Sequence, residues 1–232
     1  MIASSYAEFL VEIGKLEKAE NLFKEALFLF SKLEDKTPHI TALKGYAKLW
    51  MERGYYKNAL NYLNQAHNLM NEYGLIIKKI DILILMAQVH QSLDNIDQAY
   101  NCIKKADKLS WELKSSLGKS KVLIERGQIN IRLLNLDEAE MFLINSIRLS
   151  SKIKNIELRF KGIILLIKLY LLKYQMNTTE EKYYYLAIEK ARVLKKEAKE
   201  KTLIGDYINI SIIQAMLETV QGNYNIAQNL LS

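Results

Sequence analysis

The sequence predicts an all-α chain: a solenoid of about six helix–turn–helix repeats, the last one cut short. Three observations carry this. The sequence resembles itself at a spacing of 40 residues. Within each half of that spacing, apolar residues recur every three or four positions, the period of a helix with one buried face. Gly and Pro are scarce, 9 and 1 among 232 residues, which suits long helices and short turns and not an all-β chain.

The small positions keep the step most faithfully: Ala7, Ala47, Ala87 and Gly127; Ala19, Ala59, Ala99 and Ala139; Ala26, Ala66, Ala106 and Ser146. Small side chains recur where two helices must approach closely. Large apolar residues keep the same step, as in Phe23, Leu63, Ile103 and Leu143, then Leu29, Leu69, Leu109 and Leu149, then Leu16, Tyr56, Ile96 and Leu136. Gly14, Gly54 and Asp94 mark the turns between the halves, with Leu134 and Asn135 in the fourth copy. One hairpin cannot bury its apolar face alone, whereas stacked hairpins can.

Taken in order, the first helices of the four copies are expected near 2–13, 40–53, 78–93 and 118–133, and the second near 16–33, 56–72, 96–113 and 136–152. Thr37 is placed to cap the second copy with Pro38 at the first helical position. Asn95 with Gln98 and Asn135 with Glu138 have capping-box spacing. A fifth copy has helices at about 157–174 and 181–198, separated by Gln175 to Glu180, with Thr178 and Glu181 as a further capping box. In the sixth, a helix over 202–220 precedes Gly222-Asn223, and Ala227 falls on a small position. The expected division is a single domain over 1–232, with repeats at about 1–36, 37–76, 77–116, 117–155, 156–200 and 201–232. The short sixth copy suggests a segment of a longer protein.

No apolar stretch has the length of a membrane span; the longest, Gly162 to Leu172, contains Lys168. One cysteine, Cys102, allows no internal disulfide, so a cytoplasmic setting is expected. The net charge of +7 rests mainly on dispersed Lys. Arg-rich clusters interleaved with aromatics are absent, which speaks against nucleic acid.

The set Leu43, Tyr46-Ala47, Trp50, Gly54, Ala59, Leu63 and Ala66 resembles the tetratricopeptide repeat. The first copy matches with Tyr6-Ala7, Leu10, Gly14, Ala19, Phe23 and Ala26. The third and fourth match more loosely, with His90 and Asn130 at the place of Trp50. The usual period of that family is 34, so this chain is similar to a long-repeat subclass. That subclass occurs in spindle-orientation scaffolds, bacterial peptide-pheromone receptors and the C-terminal parts of large signalling ATPases. The resemblance implies a right-handed superhelix whose first helices line a groove for peptides or partner helices. It also implies a scaffold or sensor segment, not an enzyme. A pheromone-receptor-like regulator and, further off, a basic nucleic-acid-associated solenoid are the alternatives.

Carried over in register, the groove wall falls on Lys44, Lys48, Met51 and Glu52, then Ile84, Gln88 and Gln91, then Ile124, Gln128 and Arg132, then Ile164 and Lys168. Each set shares one helical face. Amide side chains suit a peptide backbone, and the lysines and arginine suit an acidic protein or peptide. The family's clamp for a C-terminal carboxylate is not reproduced, because Lys48 and Gln88 replace its Asn and Ile84 replaces its Lys.

No catalytic, metal or cofactor residue is assigned, and no oligomeric state. His39, His67 and His90 share no metal-ligand spacing. His90 reads as a hydrogen-bonded packing residue, and Cys102, in step with Leu22, Tyr62 and Phe142, as a buried one. Of Tyr183, Tyr184 and Tyr185, at least one should pack inward and another face water. Glu180 and Glu181 complement a helix dipole.

Overall fold

A computed structural model describes residues 2–76, 78–177 and 180–231. Twelve helices and no strand occur among them: α1 (Ile2–Glu12), α2 (Leu16–Ser31), α3 (Thr37–Glu52), α4 (Tyr56–Glu72), α5 (Lys79–Ser92), α6 (Ile96–Glu112), α7 (Ser116–Arg132), α8 (Leu136–Lys152), α9 (Ile156–Met176), α10 (Glu181–Glu200), α11 (Ile204–Val220) and α12 (Tyr224–Leu231). No helix among the described residues is long and apolar enough to cross a membrane. The chain gathers into two compact units, residues 1–118 and 119–232.

In the first unit the repeated alanines Ala7, Ala19, Ala47, Ala59, Ala66, Ala87, Ala99 and Ala106 are fully buried. Phe23 fits beneath Tyr46 and Leu49, and Leu63 lies among Ile40, Leu43, Ile82 and Val89. Leu29, in step with half-buried Leu69 and Leu109, is instead exposed. In the second unit Leu143, Phe160, Leu166, Ile167, Leu194, Ile210 and Leu217 form one core. Ser146 stands where other copies have Ala. Its hydroxyl is satisfied in the core by donating to the Ser120 carbonyl at 3.0 Å. Gly127 lies beneath Leu143, so close that a Cβ there would come within 2.7 Å of it.

The turns are closed mainly by backbone hydrogen bonds. At most of the turns one residue adopts positive φ, Gly14, Gly54, Asp94, Lys114, Leu134, Lys154 and Gly222 among them. The next amide then reaches back to a carbonyl five residues earlier, as Asn95 N–H does to His90 and Asn135 N–H to Asn130. The next helix starts at once. Its preceding residue has ψ near 66° at Asn95 and Asn135, and neither side chain accepts a capping hydrogen bond, contrary to the capping-box expectation. Asn155, with ψ opened to 100°, does cap, accepting from Leu158 N–H at 2.8 Å. Thr37 is the first residue of α3 and not its cap; its own N–H donates to Asp35 at 2.8 Å. The expected cap at Thr178 lies outside the described residues. The expected interruption at Gln175 is also displaced, because α9 continues to Met176.

Candidate functional site

In the first unit, α3 and α5 carry the register positions that the sequence assigns to a groove, and α1 stands beside them. Lys48, Met51, Glu52 and Gln88 come together around one cavity of about 410 Å³. Glu8, Val11, Glu12, Gly45 and Leu85 complete its lining. The first three of these were missed, although they stand 40 residues before Lys48, Met51 and Glu52, so subtracting one period would have found them. Gly45 matters because of what lies behind it. A Cβ at that position would meet the Phe23 ring at 2.6 Å and Glu8 Oε1 at 3.1 Å. Glycine therefore lets Phe23 and the Glu8 carboxylate lie against the backbone of α3.

The electrostatics of the cavity are mixed. Three carboxylates, Glu8, Glu12 and Glu52, and one ammonium, Lys48, line it. Glu8 Oε1 is shut off from water and has no hydrogen-bond partner. Lys44 lies beside the cavity, half-buried. Burial pulls its ammonium below the usual lysine value; the Glu8 charge opposes this and the Lys48 charge adds to it. Ile84 and Gln91 are buried in the helix packing of α5 and do not line the cavity.

In the second unit, Ile124 is buried, Gln128 and Ile164 are half-buried, and Arg132 and Lys168 are exposed. Beside Ile124, Glu125 is 1 % exposed. Lys161 reaches it at 3.1 Å, and with its amide nitrogen turned toward the carboxylate, Gln128 donates to it at 2.7 Å. Glu125 was not anticipated. It occupies the step of Gly45, Leu85 and Leu165, and a lone acid in that series was the available clue. Further along, Lys173 is almost wholly buried and donates to both Asp137 and Glu140 at 2.7 Å. Burial alone would lower its ammonium, but the hydrogen bonds to the two carboxylates outweigh burial and hold it above its usual value. These contacts tie α8 to α9.

The residues that tempt toward chemistry are packed away. Cys102 is buried, which pushes its thiol up and so away from the reactive thiolate. His90 is held below its usual value by burial. Its Nδ1 has no hydrogen-bond partner, so the expectation of a hydrogen-bonded histidine fails at that atom. Tyr184 packs inward while Tyr185 faces water. Among the described residues, no group of three or more His, Cys, Asp or Glu is placed to hold a metal ion.

In sequence, residues 80–110, which make up most of the α5–α6 hairpin, match the tetratricopeptide repeat family. No curated protein matches the chain in sequence. Solved structures match in fold. The apo form of RapI is 16% identical with a TM-score of 0.66, over 99% of this chain and 94% of that one. A Rap protein complexed with Competence and Sporulation Factor is 14% identical with a TM-score of 0.69, over 98% and 71%. A signal transduction ATPase with a tetratricopeptide repeat sensor from Pyrococcus horikoshii is 16% identical with a TM-score of 0.67, over 98% of this chain but only 35% of that one. The chain is thus an all-α helical-repeat protein, one segment of which, residues 80–110, is similar to the tetratricopeptide repeat.

Proposed function

We propose that the chain is a binding module that holds a peptide or a segment of a partner protein against its first-of-pair helices, as a scaffold or as the sensor segment of a larger regulator. The observation that carries this reading is the cavity of the first unit. Register positions from three successive repeats converge on it, with apolar Val11, Met51 and Leu85 set among charged and amide groups. Its volume lies in the range of small-ligand and side-chain pockets. Solved structures similar in fold include a Rap protein complexed with Competence and Sporulation Factor and an ATPase whose repeats are named a sensor. Both support a binding role. The lone buried thiol and the absence of a chemical constellation in the sequence agree with a non-catalytic protein of a reducing compartment such as the cytoplasm.

The test is a selection of peptides from a random display library on the full chain, followed by binding to Lys48→Glu and Met51→Ala variants whose thermal melting matches the parent. Met51→Ala should weaken selected peptides at least fivefold, and Lys48→Glu should shift their affinity at least fivefold, upward for basic peptides and downward for acidic ones. Selected peptides that bind both variants as well as the parent would place the binding surface elsewhere.

An acidic partner is a second reading. Exposed Arg132 and Lys168 favour it in the second unit. In the first unit Lys48 is outnumbered by carboxylates, so an acidic ligand has less to gain there.

A further inference from the structure

We infer that the cavity walled by α1, α3 and α5 receives the basic side chain, lysine or arginine, of a bound peptide. This inference rests on the binding-module reading above and adds the chemistry of the ligand.

The argument begins with Glu8. A carboxylate oxygen removed from water and left without a donor costs free energy in the empty protein. The fold keeps it there by placing Gly45 opposite, since any side chain at that position would collide with Phe23 and press on Glu8 Oε1. The oxygen belongs to a side chain that lines an open cavity, so a donor brought by a ligand could reach the same carboxylate. Glu12 stands one turn further along α1, and Glu52 stands across from them on α3. The three carboxylates thus surround the space from two helices, against the single ammonium of Lys48 within the lining. Lys44 is the other nearby cation; it is half-buried beside the cavity and outside its lining.

A bare metal ion fits this arrangement poorly, because Val11, Met51, Leu85 and the backbone of Gly45 make up much of the wall. A lysine or arginine side chain fits both halves. Its methylene stem can lie on the apolar residues while its charged end meets the carboxylates. The guanidinium of arginine can give two parallel hydrogen bonds to one carboxylate. A glutamate or aspartate in the same place would face three like charges.

The test uses the full 232-residue chain and four pools of immobilised peptides. Each pool is degenerate at its flanking positions and fixed at the centre as Arg, Lys, Ala or Glu. The Arg and Lys pools should be retained at least fivefold better than the Glu pool, and Glu8→Gln should reduce that preference to less than twofold while the Ala pool binds as before. Thermal melting of the free Glu8→Gln variant gives a readout independent of ligand. A ligand-directed carboxylate predicts a melting temperature equal to or above the parent's, since the neutral amide costs less when buried without a partner. A carboxylate serving the fold through Lys44 predicts a lower one, and that result overturns the inference. Retention without a basic preference, or a preference that survives Glu8→Gln, also overturns it while leaving the binding-module reading intact. Retention of no pool removes both.

Discussion

The smallest side chains constrain this chain most. Ala59 has no exposed surface and lies within a core of Leu43, Leu63 and Val89. At such a site added volume has nowhere to go, because protein interiors are already close-packed. Ala59→Leu should therefore destabilise the chain by ~1–3 kcal/mol or more, read as a lower midpoint in urea unfolding. An unchanged midpoint would show that the helices do not meet at this position. Gly45 and Gly127 obey the same logic with one atom less. In each case the space for a Cβ is taken by a neighbour, Phe23 or Leu143. The repeating small residues were legible because size is written in the sequence. Glu8, Glu12 and Glu125 were passed over, because a glutamate on a helix reads as solvated until its neighbours are known, although the 40-residue step marked their places. The burial of Ile84, Ile124 and Gln91 was hidden for the same reason.

At the scale of elements, helix type and extent were legible to within a few residues, and turn chemistry only in part. Gly14, Gly54 and Gly222 advertise positive φ, but Asp94 and Leu134 occupy equivalent turns at φ 60°. The left-handed conformation costs a non-glycine residue about 1–2 kcal/mol. Leu134 is 59 % exposed, so its side chain returns little burial in exchange. Part of any gain from glycine is lost to the greater freedom of the unfolded chain. Leu134→Gly should still raise stability, by ~0.5–1 kcal/mol, seen as a higher denaturation midpoint. A lower midpoint would mean that the Leu134 side chain holds more than its exposure suggests. The capping boxes failed through backbone geometry too. With ψ near 66°, Asn95 and Asn135 do not bring their side chains to the helix amides, whereas Asn155, after an equally left-handed Lys154 but with ψ at 100°, does. Spacing alone made Asn95 and Asn135 look like caps, while Asn155, at a more open junction, is one.

At the scale of the molecule, stability in a stack of hairpins is close to a sum over neighbours. Helices with partners on both sides should open last. In the first unit these are α3 and α4, whose residues form most of one core cluster with α5. In the second they are α9 and α10, which are joined by Arg159 and Glu197 and by their shared core. Helices α1 and α12 carry exposed Tyr6 and Phe9 and exposed Tyr224 and Ile226 respectively. Amide hydrogen exchange of the 232-residue chain should show α1 and α12 exchanging first and α3, α4, α9 and α10 last. Uniform protection along the chain would contradict a neighbour-by-neighbour stack.

The sequence by itself determined the helices, their pairing and the places where they touch. Those features depend on local periodicity and on side-chain size, and both are carried by each residue wherever it sits. Tertiary structure alone decided which charges share a cavity and which stay in water. The electrostatic meaning of Glu8 or Lys48 depends on groups about 40 residues away along the chain, brought near only when one hairpin packs on the next. From the sequence, Lys48 suggested attraction to an acid; in the folded protein Glu8, Glu12 and Glu52 stand around the same space, and their closeness reverses the local sign.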